Sequence, residues 1–332
     1  MTTVSETQDL TTTAAEPTFT GGWRIVARKE LADHLRSSRL LILLVLVALA
    51  ALAAVHSASG AIRDAATGAS QTPSVFLYLF TLSPDRIPSF VDFIALIGPL
   101  LGIVFGFDAV NGERAQRTLP RLVAQPIHRD DVINGKFAAG IGAIALGLGA
   151  VVALVSGYGM VRLGIAPSGA DLVRLVSFLA VAVIYISLWF GLATLLSVVT
   201  RRATTAALAA LGAWLVLALF MGLLAGIAAD AVHPVHDTSN IDQVLPNARL
   251  ELNVRRLSPD ELYRETTSVL LDPSQQSTGI VVAAPEQSAV PAPLGLRGSL
   301  DLAWWQFTAI AALAVAFFVA SYLLFLRQEI RA

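Results

Sequence analysis

Few side chains of this sequence combine the types and the spacing that chemistry at a site requires. The 332 residues include no cysteine, which excludes disulfides, iron–sulfur clusters and thiol catalysis. His233 and His236 lie three residues apart beside Asp230 and Asp237, a spacing that permits a metal site, although a loop with two histidines is the more ordinary interpretation. Ser156 lies in an apolar run, but the five histidines fall outside the centres of such runs, which argues against an intramembrane serine protease. We therefore expect no catalytic residue, no metal and no cofactor bound by this chain.

A charged segment, Asn111–Lys136, lies between two long apolar runs. Thr118 can cap a short helix there, and Pro126 ends it. This helix would carry a small apolar face beside a basic rim, formed by Leu119, Leu122, Arg117 and Arg121. Such a helix suits docking into a groove of a cytosolic protein. A polar loop that only carries positive charges is the alternative.

The rest of the composition is that of a membrane protein. Only 14% of the residues are charged and 55% are hydrophobic, with a mean hydropathy of +0.68, whereas a soluble domain is about 25% charged. A membrane helix needs roughly 20 mostly apolar residues, and six segments approach or exceed that length: Leu40–Ile62, Phe90–Phe107, Phe137–Val161, Leu172–Val199, Ala203–Ala229 and Leu302–Phe325. We expect an all-α fold with spans 1–5 in residues 39–229, and with the sixth span and a short cytoplasmic tail in residues 302–332.

Two further features of these runs bear on function. Charged residues are nearly absent from their centres, which counts against a proton- or ion-driven carrier. Ala139, Ala143 and Gly147 are spaced by four, a pattern that lets helices approach closely. We expect packing within the subunit there, with a seam between two subunits as the alternative.

The distribution of Lys and Arg predicts the orientation of the spans. Only four lie in the short loops on the side opposite the N-terminus: Arg63, Arg86, Arg162 and Arg174. Fourteen lie on the N-terminal side: Arg24, Arg28, Lys29, Arg36, Arg39, Arg114, Arg117, Arg121, Arg129, Lys136, Arg201, Arg202, Arg327 and Arg331. Both termini are therefore expected in the cytoplasm. The net charge of −1 indicates no nucleic-acid partner.

The N-terminal region divides into a tail and a helix. Residues 1–20 lack the basic start and apolar centre of a signal peptide and are predicted to form a disordered cytoplasmic tail. In residues 21–38 an apolar stripe faces a basic side, which predicts an amphipathic helix lying in the membrane interface. Its principal residues are Trp23, Leu31, Arg24 and Arg28. A solvated helix is the alternative.

Residues 230–301 are predicted to form a helical extracytoplasmic segment. Ser258 is placed to cap a helix, with Glu261 at the capping-box position, and a further helix is predicted over residues 241–256. One face of the helix that Ser258 caps is a candidate surface for an extracytoplasmic protein, formed by Leu262, Thr266 and Val269. Packing on the spans or on a second subunit remains open.

The charged segment, with the residues just before it, GFDAVNGERAQRTLPRLVAQPIHRDDVINGK, resembles that of the ABC-2 type permeases, particularly the branch of the nitrous-oxide-reductase accessory permease. The matching residues are Gly112, Glu113, Thr118, Leu119, Leu122, Pro126, Arg129, Gly135 and Lys136. Arg117 replaces the usual glycine and Pro120 follows the leucine, so the bend before the short helix stays undetermined. The resemblance extends to ARKELADHLRSSR, to the six-span layout and to RLSPDELYRETTSVLLDP.

This resemblance implies a type V exporter-like permease in a prokaryotic cytoplasmic membrane. It implies a dimer with a second permease copy or a paralogue, above separate ABC ATPase subunits that carry ATP and Mg. The helix within residues 111–127 would be the coupling helix, and Glu113, Arg117, Arg121 and Arg129 would belong to its ATPase interface. This chain has no G-x-x-x-x-G-K-[ST] sequence for the phosphates itself. A membrane anchor that recruits the ATPase or an extracytoplasmic partner without transport is the alternative function.

Overall fold

The computed structural model describes residues 21–66, 75–84, 87–115, 128–237, 240–275, 277–279 and 293–327. These residues form helices and turns, with no β-strand among them. The tail predicted over residues 1–20 lies outside this part. The helices are α1 (Gly22–Arg36), α2 (Ser38–Ala66), α3 (Val75–Thr81), α4 (Phe90–Gly106), α5 (Asn111–Ala115), α6 (Arg129–Leu163), α7 (Gly169–Val199), α8 (Ala203–Trp214), α9 (Met221–Val232), α10 (Ile241–Arg255), α11 (Pro259–Leu271) and α12 (Leu296–Arg327), and the π-helical turn Leu215–Phe220 joins α8 to α9.

Six helical stretches in the described residues are long and apolar enough to cross a membrane. They are α2, α4 continued through α5, α6, α7, α8 continued through α9, and α12. Each contains one of the six predicted runs, so the predicted all-α fold with six transmembrane helices is confirmed. The helix of span 3 begins at Arg129 rather than at Phe137, because Asp130 and Asp131 in its first turn favour a helix N-terminus.

Side chains in the sequence determine where two of the spans begin. At the start of α4, the Ser89 hydroxyl oxygen accepts from the Asp92 amide at 3.2 Å, and the Asp92 carboxylate accepts from the Ser89 amide at 3.1 Å. Ser168 and Asp171 form the same reciprocal pair at the start of α7, at 3.1 and 2.9 Å. These capping boxes satisfy amides that have no partner within the helix. Gly164, with φ of +69°, ends α6 in the left-handed region that favours glycine.

A row of glycines brings α4 into close contact with α7. A Cβ atom added at Gly102 would lie 2.5 Å from the carbonyl oxygen of Ile186, and one added at Gly106 would lie 2.6 Å from that of Phe190. Only a residue without a side chain fits there, because the two backbones are almost in contact. The predicted small residues of α6 also pack within the chain: Ala139 and Ala143 are buried, and an added Cβ at Gly147 would lie 2.9 Å from Leu44 of α2.

Helix α11 is inserted among the spans. Tyr263 stacks on Tyr185 of α7 with ring centroids 4.4 Å apart, and the Tyr185 hydroxyl donates to the Ala95 carbonyl of α4 at 2.8 Å. The Ser258 hydroxyl donates at 2.7 Å to the carbonyl of Leu217 in the π-helical turn. Leu217 is about 21 Å along its helix from Ala203, so the start of α11 reaches the middle of span 5. Of the arrangements considered for this segment, the structure has packing on the spans.

The cap of α11 differs in detail from the expected one. The Ser258 side chain accepts from the amide of Asp260 at 3.2 Å. Glu261, expected to complete a capping box, instead accepts from Arg255 of α10 at 2.9 Å. The charge of a neighbouring arginine attracts the carboxylate more strongly than a neutral amide does.

Candidate functional site

Lys136 of α6 lies among ionised side chains at the end of the bundle that carries α1 and α5, called the α1 end below. Its Nζ is 2.7 Å from Glu113 Oε1 in α5 and 3.3 Å from Glu30 Oε1 in α1. Its side chain is 7% exposed. Lys29 lies 3.2 Å from the same Glu30 oxygen and 3.3 Å from Asp33. One buried ammonium group thus joins three helices.

Within this cluster of Lys136, Glu113, Glu30, Lys29 and Asp33, the neighbouring charges shift the pKa values of Glu30 and Lys29. Burial by itself raises the pKa of the Glu30 carboxyl, but Lys136 and Lys29 outweigh burial and hold that pKa below its ordinary value. Burial by itself lowers the pKa of Lys29, but Glu30 and Asp33 raise it above its ordinary value. Glu30 and Lys29 are therefore both charged at neutral pH.

Helix α5 is also fixed to the end of α7. The amides of Val110 and Asn111 donate to Ser197 Oγ at 3.2 and 3.1 Å. The Asn111 side-chain amide donates to Thr200 Oγ1 at 3.1 Å, and Arg114 donates to the Thr200 carbonyl at 3.2 Å. An arginine on the last carbonyls of a helix satisfies groups that have no partner in the helix. The segment that follows α5 therefore starts from a short helix that is held to α6 by Glu113 and to the end of α7 by Asn111 and Arg114.

A cavity of about 310 Å³ adjoins the cluster and is lined by side chains of both signs. In its wall, Arg39 of α2 lies 2.7 Å from Asp108, which follows α4. The His34 ring packs edge-on against Phe105 with centroids 4.8 Å apart. Burial lowers the pKa of the His34 imidazole, so the ring is neutral at pH 7. The cavity wall therefore links α1 and α2 to the end of α4.

The predicted coupling residues fall mostly outside the described part of the chain. Glu113 lies in α5 and contacts Lys136, whereas Arg129 is the exposed first residue of α6. The other six lie outside the described residues: Arg117, Thr118, Leu119, Arg121, Leu122 and Pro126. The structure thus brings Glu113 into the cluster and leaves Arg129 at the surface.

Helix α1 packs along α6 through its apolar side. Val26 is buried against Gly135, where an added Cβ would lie 2.6 Å from the Val26 Cβ. Of the four residues predicted for the interfacial helix, Leu31 packs partly against the core. The other three are exposed: Trp23, Arg24 and Arg28.

The predicted surface for an extracytoplasmic partner lies in the core. Leu262, Thr266 and Val269 are 3, 1 and 0% exposed, because α11 packs against α12, α7 and α4. This face therefore holds α11 on the spans and is not available to a partner protein.

Sequence reasoning missed the charged groups that α11 and its neighbours place inside the bundle. Arg174 of α7, 4% exposed, donates to the Leu270 carbonyl at 2.7 Å and to the Ser299 hydroxyl at 3.1 Å, and also contacts the Leu294 carbonyl. It thereby joins α7 to the end of α11 and the start of α12. The sequence shows only an arginine six residues after the N-cap of an apolar helix. That position is equally compatible with a charge exposed near the loop.

A second group of buried and partly buried charges lies on α11 itself. Glu265 accepts from Arg256 at 2.9 Å and from the Gln306 amide at 2.9 Å. Arg264 contacts Asp92 of α4 and donates to Asp260 at 3.0 Å. The count of charged residues in the span centres was therefore an incomplete measure of charge inside the bundle, because it left out a helix that is inserted between the spans.

The histidines first considered for a metal site have ordinary surroundings. Asn247 donates to the His233 carbonyl at 2.8 Å and to Asp230 at 2.9 Å, and the His236 amide donates to Gln243 at 3.2 Å. Within the described ranges, no group of three or more His, Asp or Glu side chains is arranged to hold a metal ion.

Comparison with known proteins identifies the family of this six-span chain. The profile of the family described as "ABC-2 family transporter protein" matches residues 24–330, which is most of the chain. The chain belongs to the ABC-2 transporter family. It is therefore a multi-pass membrane protein and the permease subunit of an ABC transporter, not its catalytic subunit.

Two curated relatives of this ABC-2 permease carry the same printed name, "Probable ABC transporter permease protein NosY". The one from Stutzerimonas stutzeri is 26% identical over 299 residues, covering 88% of this chain and 96% of the relative. The one from Pseudomonas aeruginosa is 27% identical over 247 residues, covering 72% of this chain and 78% of the relative. The similarity thus extends over the length of both proteins rather than over one motif.

Proposed function

We propose that this permease works in an ATP-driven exporter, and that separate ATPase subunits act on it through the segment 111–127. The observation that supports coupling best is the buried Lys136, which ties Glu113, at the start of that segment, to α1 and α6. The export direction follows from the family resemblance. ATP and Mg would be bound by the partner chains.

The contacts around α5 would transmit a displacement of this segment to the spans. Glu113 contacts Lys136, and Lys136 contacts Glu30 of α1. Asn111 and Arg114 donate hydrogen bonds to Thr200 at the end of α7. Because these contacts are partly or fully buried, a push on the segment would move several helices together rather than one side chain.

The test replaces the two leucines of the predicted coupling helix. Fully burying a leucine is worth about 1.5–3 kcal/mol, so Leu119→Asp with Leu122→Asp should weaken ATPase docking by about a few hundredfold or more. Arg121→Ala is the matched control on the same helix. A charge at the rim of an interface contributes less and is screened by salt. Co-purification and ATPase turnover in nanodiscs would measure both effects.

Full association and unchanged turnover of the double variant would contradict a coupling role for the segment. If the ATPase stays bound but turnover never responds to any substrate, the alternative of a non-transporting anchor is favoured. The genes next to those of the transporter would indicate the substrate, because neighbouring genes often encode enzymes that make or use the transported compound.

The orientation with both termini in the cytoplasm is supported by the bias of Lys and Arg described above. Gln275 and Arg201 are both exposed, and they lie at opposite ends of the spans. In intact cells, Gln275→Cys should react with a membrane-impermeant thiol reagent, and Arg201→Cys should not. The reverse pattern would overturn the orientation.

A second permease copy or a paralogue would pack on span 5. This span, Ala203–Val232, buries mainly small side chains such as Ala206 and Ala210 against its own chain. Many of its large apolar residues are exposed, including Leu208 at 70% and Leu223 at 61%. Disulfide formation between copies bearing Leu223→Cys would support this pairing, and efficient pairing only through α12 would exclude it.

A further inference from the structure

One hydroxyl group in the spans lacks the hydrogen bond that comparable hydroxyls make. Hydroxyls on the described helices commonly donate to the carbonyl four residues earlier at 2.7–2.9 Å, as do those of Ser156, Ser177, Thr194, Thr266, Thr267, Thr308 and Ser321. Ser187 of α7 is only 9% exposed, and its Oγ has no hydrogen-bond partner in the structure. A buried hydroxyl without a partner is unfavourable in apolar surroundings, so this group is poised to bond to something else.

Ser187 lines a cleft of about 440 Å³ between α6, α7 and α12. The rest of the lining is almost entirely apolar and includes Phe137, Ile141, Ile184, Ala314, Val315 and Phe318. Ser187 lies about 18 Å along α7 from Val199 and about 27 Å from Gly169. Both distances place the hydroxyl within the hydrocarbon layer, which is about 30 Å thick.

The rim of this cleft faces the surroundings of the bundle. Ile141 is 40% exposed and Val315 is 59% exposed, and both lie on helices that cross the membrane. Molecules can therefore enter the cleft from the hydrocarbon layer. The cleft offers such a molecule an apolar trough with the Ser187 hydroxyl as a hydrogen-bond donor at a depth that water rarely reaches. The other polar side chain of the lining, Asn134, lies near the start of α6.

We propose that the α6–α7–α12 cleft binds an elongated apolar molecule from the hydrocarbon layer, with a carbonyl or hydroxyl oxygen that accepts a hydrogen bond from Ser187. The apolar walls select for chain length and shape, and Ser187 selects for the position of the oxygen. The occupant is either a resident component of the bilayer or cargo on its way through the transporter.

The test compares two photoactivatable probes in nanodiscs: a long-chain ketone whose chain carries a diazirine, and the matching alkane without the oxygen. The net value of one hydrogen bond predicts that the ketone labels residues of the cleft about 3- to 10-fold more than the alkane does. Ser187→Ala should abolish this preference. Ser321→Ala is the matched control, because its hydroxyl is already bonded to the Phe317 carbonyl at 2.7 Å. Ala314→Phe, which fills the cleft, should reduce labelling by both probes.

Equal labelling by the two probes, or labelling spread evenly over the exposed spans, would overturn the proposal. So would disulfide formation between copies bearing Val315→Cys, because a second copy would then cover the cleft. Adding the ketone to the assembled transporter identifies the source: stimulated ATP turnover indicates cargo, and unchanged turnover with retained labelling indicates a resident bilayer component. Labelling is measured without the ATPase, so its outcome does not depend on the proposed coupling.

Discussion

Removing the charge of Lys136 should release α1 from the bundle. The Lys136 ammonium lies 2.7 Å from Glu113 and 3.3 Å from Glu30, and the two carboxylate side chains are only 15 and 13% exposed. Lys136→Met keeps most of the apolar stem but deprives both carboxylates of this cation. Breaking a buried pair in this way costs about 3–5 kcal/mol. We take the lower value because both carboxylates keep some contact with water, so the ratio of docked to undocked α1 should fall about 100-fold.

The absence of cysteine allows a single introduced thiol to report this release. Val26 is 6% exposed and packs against Gly135, so Val26→Cys should react with a water-soluble maleimide only when α1 undocks. The labelling rate in nanodiscs then follows the undocked fraction. Lys136→Met should raise this rate about 100-fold. Adding Glu30→Gln and Glu113→Gln should restore most of the slow rate, because no carboxylate is then left without its cation.

A matched control separates this effect from a general loss of charge on α1. Arg28→Ala removes an exposed cation from the same helix and should leave the labelling rate unchanged within a factor of about two. If Lys136→Met is labelled no faster than its parent, then Lys136 does not hold α1, and the cluster is not the link between α1 and α5 that the coupling proposal requires.

Three further predictions concern other parts of the structure. Labelling of Val26→Cys, divided by that of the exposed Arg28→Cys at the same pH, should increase in acid. The ratio removes the loss of reactive thiolate that acid causes in any cysteine. The pKa of Glu30 lies below its ordinary value of 4.5, so the stability that its charge contributes is present above pH 4.5 and is lost as the pH falls through the lowered value; a ratio that stays flat on acidification would contradict this. Arg174→Met leaves a buried carbonyl and a buried serine hydroxyl without their donor and should lower the midpoint of thermal unfolding in detergent by several degrees, whereas equal midpoints would show that this arginine does not hold α11. Gly106→Ala should destabilise the protein, because the added Cβ would lie 2.6 Å from a backbone oxygen of α7, and Gly157→Ala, which meets open space, should not; similar midpoints for the two variants would refute the close contact of α4 and α7.

The sequence contains enough information to predict the six spans, because the signal for a span is local. A run of about 20 apolar residues has few alternatives to a transmembrane helix, and each predicted run lies within an observed one. The ends of the helices were harder to predict. Span 3 begins at Arg129 among charged residues, since a helix continues beyond the hydrocarbon wherever its caps and first-turn acids favour it.

The partners of Lys136 could not be predicted from the sequence. It is one of two lysines in the chain. The resemblance to the permeases includes this lysine but does not say which residues it contacts. Glu30 and Glu113 lie far from it in sequence, and which acids meet it depends on how α1 lies on α6. That geometry follows from the contact of Val26 with Gly135, and a single sequence gives no pairing information for such a contact. The orientation and the coupling helix remain predictions.

Helix α11 shows why counting charges within apolar runs misjudged the interior of this protein. Its sequence, PDELYRETTSVLL, has the polarity of a surface helix, and sequence reasoning left open whether it packs on the spans or on another chain. The helix is nevertheless compatible with burial, because its charged groups find partners on the spans: Arg264 contacts Asp92, and Glu265 accepts from Gln306. A charge in apolar surroundings is tolerated only when it is paired and hydrogen-bonded. The insertion of α11 therefore depends on polar residues of the spans, such as Gln306, that look unremarkable in the sequence until their partners are known.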